Sequence, residues 1–221
     1  MKKEEILNFI ESNDEDDIKN YFYKLIEKLE GIKKENNKIQ IWLIVLVFIH
    51  FGIEFNFFKE LNVGPVNLQT DNHFIKLFIP LVFTFMLLQF ATLNAQRAVI
   101  INNIREIGTR LFSLDTNEAE KSMYSNKFLR TIMPFSLSEE VNEKFLQNGK
   151  VGIITVILTL PLFLLLFTPF IYEYIAIKDH IVNFWGINWF ENLLIIMNIW
   201  LLIVVFAYYI KLFIIAFKEA K

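Results

Sequence analysis

The sequence predicts an all-α integral membrane protein with four transmembrane helices and long cytoplasmic helical extensions. Hydrophobic residues fill 54% of the 221 positions, 24 of them Phe, which is more apolar side chain than one water-soluble core of this size buries. That excess falls into four stretches of roughly 20 residues, the helical length that crosses about 30 Å of hydrocarbon. The formal net charge of −2 hides a segregation of Lys and Arg between the connecting segments, 19 on one side and 3 on the other.

Residues 1–38 are polar, with 8 Lys against 10 acidic residues, and read as cytoplasmic amphipathic helices without a cleavable signal peptide. Asn13-Asp14 is placed to cap a helix starting near residue 15, whose apolar positions Ile18, Phe22, Leu25, Leu29 and Ile32 alternate by four and three as a heptad seam. No Pro intervenes and Gly31 is a single weak point, so the helix is expected to continue into the first span, 39–58, IQIWLIVLVFIHFGIEFNFF. An outer loop with no strand pattern covers 59–73, and the second span, 74–93, carries Lys76 and Pro80. A Pro is tolerated in a lipid-embedded helix because neighbouring helices and Ser or Thr side chains can satisfy the freed carbonyl.

The cytoplasmic segment 94–150 extends the second span and repeats its neighbour's spacing at Ile100, Ile104, Ile107 and Leu111. The two seams either pack against each other or join an oligomeric bundle or a partner. Further helices are expected over 117–132 and from Ser138 to near Gly149, separated by Pro134. The third span, 151–172, has no charge over 22 residues. An outer loop, 173–191, places Trp185 and Trp189 where an aromatic belt belongs, before the fourth span, 192–213, and a cytoplasmic tail, 214–221. The minority of basic residues, Lys59, Lys76 and Lys178, all fall on the outer side. Both termini are therefore expected in the cytoplasm, with the chain in a bacterial cytoplasmic (inner) membrane.

With no Cys, disulfides, thiolate metal sites and Cys nucleophiles are excluded, and three scattered His do not make a metal site. No HExxH, GxSxG, dinucleotide fingerprint or phosphate loop occurs, so neither an enzyme nor a cofactor is expected. None of Arg97, Arg105, Arg110 and Arg130 is followed four to six residues later by His, which disfavours a HEPN-type ribonuclease. The 8 basic and 7 acidic residues of 94–150 give no reason to expect direct nucleic-acid binding.

His50 and Glu54 are four apart on one face of the first span, in line with Leu43 and Val47, and Asn198 in the fourth span can reach a similar level. Ionisable groups at that depth face protein or water rather than lipid, so these three form a candidate polar stripe lining an ion or proton path. The plainer alternative is that they join helices by hydrogen bonds. Thr84 and Thr168 are weaker members, Gln89 reads as an interhelical hydrogen bond, and Pro161 and Pro169 permit a bend.

The layout of four spans with a helical cytoplasmic half resembles the small membrane accessory and effector proteins of prokaryotic defence loci, including the companions of type VI-B CRISPR nucleases. The residue usage, 18 Lys to 4 Arg with 32 Ile and 20 Asn, fits an A+T-rich bacterial genome. The resemblance implies a membrane effector or modulator that couples to a cytoplasmic partner such as a nuclease, and it assigns no residue a role. Together these features predict a pore-forming or membrane-perturbing homo-oligomer with sensing cytoplasmic helices. A non-conducting scaffold for a soluble enzyme is the second expectation and a small transporter the third.

Overall fold

The computed structural model describes the backbone of residues 3–55, 57, 60–63, 66–69, 73–112 and 153–219, and most of their side chains. The elements are α1 (Lys3–Ser12), α2 (Glu15–Glu54), β1 (Glu60–Val63), β2 (Val66–Gln69), α3 (His73–Leu111), α4 (Ile153–Phe184) and α5 (Trp189–Glu219). Among the described residues α2, α3 from Ile75 onward, and α5 from Trp189 to Lys211 are long and apolar enough to cross a membrane. The third expected span falls largely within α4, and the helices expected over 117–132 and 138–149 lie outside the described residues. Two compact units divide the chain, Met1–Glu35 with Asn94–Leu162 and Asn36–Leu93 with Phe163–Lys221.

In the first unit α1 stops at Ser12, where the Asn13 side-chain amide donates to the Phe9 carbonyl at 2.7 Å. Asp14 then caps α2. Its carboxylate accepts from the Asp17 N–H at 2.9 Å and its carbonyl from the Ile18 N–H at 3.1 Å, while Glu15, Asp16 and Asp17 place negative charge on the positive end of the helix dipole. Lys19 pairs with Glu15 one turn back at 2.6 Å, and that hydrogen bond holds its ammonium above the ordinary lysine value. Ile18, Phe22, Leu25, Leu29, Ile32, Ile100, Ile104 and Ile107 are all buried, and Leu111 is half-buried. Phe22 meets Phe112 edge-on at 5.7 Å, so α2 and the end of α3 touch at that level.

In the second unit the seam of α2 continues without a phase change through Asn36, Ile39, Leu43, Leu46, His50 and Ile53, still alternating by three and four. One core gathers Ile39 and Leu43 of α2, Phe83 and Leu87 of α3, Tyr172 of α4 and Val205 of α5. A second joins Leu77 to Leu194 and Ile195. The outward faces are as apolar as the core: Ile41, Trp42, Ile44, Phe48, Phe85, Ile171, Ile196, Trp200, Ile203 and Phe206 are all exposed, while His50, Thr84, Glu173 and Asn198 are buried. Water would favour the reverse arrangement, and hydrocarbon favours this one.

Three boundaries differ from the sequence expectation. Most of the outer loop expected over 173–191 is helix. α4 runs on to Phe184 because no Pro or Gly falls between Tyr172 and Gly186, whose φ of 87° only glycine adopts without strain. The connection to α5 shrinks to Trp185–Asn188, with the Gly186 N–H donating to Asn192 Oδ1 and the Glu191 N–H to the capping Asn188 Oδ1, both at 2.9 Å. Between α2 and α3, where no strand was expected, β1 pairs antiparallel with β2, Glu60 opposite Gln69 and Val63 opposite Val66. Finally α2 ends at Glu54 rather than near residue 58, its last turn closed by the Phe57 N–H on the Gly52 carbonyl at 2.8 Å.

Candidate functional site

The second unit holds a layer of polar side chains inside its apolar shell. Asn198 sits nine residues into α5, about 14 Å from that end at 1.5 Å per residue, which places it near the middle of a span. Its side chain serves two neighbours: Nδ2 donates to Glu173 Oε2 at 3.0 Å, and Oδ1 accepts from the Thr84 hydroxyl at 2.7 Å. Thr84 carries a single hydroxyl proton, and the Pro80 carbonyl, also within reach at 3.1 Å, is the more distant acceptor. Glu173 therefore lies as deep as Asn198, and it has no solvent exposure at all.

Tyr172, next to Glu173, packs its ring against Phe83 at 4.5 Å and Phe51 at 6.0 Å. The imidazole of His50, one turn before the end of α2, stands edge-on to the same ring at 5.2 Å. His180 lies two turns further along α4 and is also buried. Its position answers a vacancy that Pro80 creates in α3. Pro has no N–H, so the carbonyl four residues earlier, that of Lys76, loses its helical donor. His180 hydrogen-bonds that backbone and lies within electrostatic reach of His50 and Glu54. Its Nε2 has no partner, which leaves Nδ1 as the donor. At the end of α2 and the start of α3, Lys76 Nζ pairs with Glu54 Oε2 at 3.3 Å, both part-exposed.

Among the described residues four buried polar atoms in this layer have no hydrogen-bond partner: His50 Nδ1, the Tyr172 hydroxyl, Glu173 Oε1 and His180 Nε2. Such atoms are rare in folded proteins, and here one lies on α2 at His50 and three on α4 between Tyr172 and His180. No group of three or more His, Asp or Glu with the arrangement of a metal site occurs among the described residues.

Of the residues singled out by the sequence, His50 and Asn198 are buried and linked through the Tyr172–Glu173 step of α4, and Thr84 is bonded to Asn198. Glu54 is not buried with them but exposed at the end of α2 and paired with Lys76. Thr168 and Gln89 lie on exposed faces, so the interhelical role expected of the Gln89 side chain has no support in its position. Tyr172, Glu173 and His180 were missed because the hydropathy of the third apolar run falls after residue 172. The available signal was the spacing Tyr172–Ala176–His180, a helical face continuing past the apolar run. Compared with known protein families, with curated proteins and with solved structures, the chain matches none.

Proposed function

We propose that this chain is a multi-pass membrane protein that conducts or gates ions along the interior of its second unit and catalyses no covalent reaction. The observation that carries this is Glu173: a carboxyl with no exposure, level with the middle of α5, surrounded by helices whose outward faces are apolar. An ionisable group at such depth costs a few kcal/mol to insert, and it persists in membrane helices mainly where it serves a transport path. The full topology belongs to the same proposal. Four spans, with α4 as the third, place both termini on the cytoplasmic face of a bacterial inner membrane, following the 19 to 3 split of Lys and Arg.

The position of the polar groups favours a path within one protomer. A pore between protomers needs polar groups on the outside of each, whereas His50 and Asn198 turn inward. A homo-oligomer is then compatible with conduction but not required for it. The scaffold alternative would have to dock its enzyme elsewhere than on the described seam of α2 and α3, whose residues are covered within the chain apart from half-buried Leu111. A role in antiphage defence remains part of the proposal, supported by the chain-wide layout alone, and an adjacent nuclease gene is the observation that would strengthen it.

The test is electrical. The purified chain, reconstituted in planar bilayers and verified as folded, is expected to carry current at pH 5.5 or pH 8. Silence at both values, with protein demonstrably inserted, would remove the conduction reading.

A further inference from the structure

Resting on the conduction reading, we infer that the species carried is the proton, relayed by Glu173, Tyr172, His50 and His180 rather than passed through a water-filled pore. The chemistry of the unpartnered atoms selects it. An alkali cation needs several hard oxygen ligands converging on one point. Here two of the four unpartnered atoms are imidazole nitrogens, and only the Tyr172 hydroxyl and Glu173 Oε1 are oxygens. A carboxyl, a phenol and two imidazoles are instead groups that take and give protons, the usual members of intramembrane relays.

Packing points the same way. The Tyr172 ring touches Phe83, Phe51 and His50 at centroid separations of 4.5, 6.0 and 5.2 Å, so the layer is filled by side chains where a hydrated ion would have to pass. A relay needs no such opening, and because none of the four atoms is hydrogen-bonded at rest among the described residues, each transfer follows a side-chain rotation that brings donor and acceptor together. Each transfer breaks one O–H or N–H bond as it makes another: Glu173, protonated on Oε1, gives that proton to an imidazole nitrogen and is then reprotonated by the next donor. Asn198 Nδ2 donates to Glu173 Oε2, Thr84 fixes that amide by donating to its Oδ1, and Glu173 Oε1 is left as the exchanging atom.

The charged groups within electrostatic reach of the imidazoles come from three helices: Glu54 of α2, Lys76 of α3 and Asp179 of α4, beside His180. The Lys76–Glu54 pair lies next to both imidazoles and forms the outer mouth, where protons exchange with solvent.

The experiment uses the full chain in liposomes containing a trapped pH-sensitive dye, with valinomycin and a potassium gradient to balance charge. The expected result is dye-reported proton entry, while parallel liposomes without valinomycin take up neither radioactive sodium nor rubidium. Glu173→Gln keeps an oxygen for Asn198 but cannot carry a proton, and it should reduce the flux at least tenfold. His50→Gln should do the same, and His180→Asn, which can still donate to the Lys76 carbonyl, should reduce it several-fold. Gln89→Ala, on an exposed face, should leave it unchanged. Sodium or rubidium uptake without proton entry would overturn the relay and leave the conduction reading standing, as would proton entry undiminished in Glu173→Gln. No flux of any ion from inserted, folded protein would overturn both.

Discussion

Asn198 satisfies two partners on two other helices, the Thr84 hydroxyl on α3 and the Glu173 carboxylate on α4, and its amide orientation follows from them. Replacing it with Leu keeps the volume and strands both partners in an apolar interior. Asn198→Leu is expected to destabilise the folded chain by about 1–2 kcal/mol, the upper range for polar contacts between membrane helices, read as a lower midpoint when SDS is titrated into mixed micelles. Tyr172 gives the contrasting case. Its hydroxyl has no partner among the described residues while its ring is packed on three sides. Tyr172→Phe should therefore leave the same midpoint unchanged or slightly higher, and a loss of more than about 1 kcal/mol would show that the hydroxyl is bonded after all. If the relay holds, this stable variant should still show reduced proton flux, which separates a functional from a structural role.

At the scale of elements, glycine positions offer the sharpest comparison. Gly31, in the exposed polar half of α2, has nothing within 4 Å of an added Cβ, so Gly31→Ala should raise stability by about 0.5–1 kcal/mol through the lower entropy of the unfolded chain. Gly186 is equally uncrowded but stands at φ 87°, and Gly186→Ala should cost about 1–2 kcal/mol, seen as a lower unfolding midpoint. Helix continuity was legible where periodicity persisted. The seam beginning at Ile18 predicted that α2 would run into the apolar stretch, and it does so to Glu54. Hydropathy misled at the ends of elements, because it reports where side chains would rather be and not where the backbone stops. The polar residues Glu173, Lys178 and Asp179 lowered the average without breaking α4, so the expected loop was helix and the deepest carboxyl was assigned to the outside. The β1–β2 hairpin was overlooked although Gly64-Pro65, a turn-forming pair, separates its two short strands. His50 and Asn198 were found because they interrupt apolar runs, whereas their link through α4 needed the helix register that only the fold supplies.

For the whole molecule the telling contrast is between an apolar exterior and a polar layer inside the second unit. Trp42 and Trp200 are 57% and 62% exposed on the apolar faces, so brominated acyl chains should quench them strongly. Trp185 and Trp189, at the α4–α5 turn, should respond better to quenchers placed near the headgroups. Because the chain has no Cys, single replacements report topology directly. Lys24→Cys and Lys178→Cys should label from opposite sides of a sealed vesicle with an impermeant maleimide, and labelling from one side would contradict the proposed orientation. The tight Trp185–Asn188 turn also bears on how such a chain reaches its membrane. Glu173 and Asn198 are 25 residues apart on the two arms it joins, close enough to meet as soon as both arms are helical. A translocon releasing α4 and α5 together as one hairpin would hand the lipid a carboxyl already matched with its amide, whereas a longer tether would delay that pairing. On the proposed topology, biogenesis as well as the finished fold would favour a short turn at Gly186.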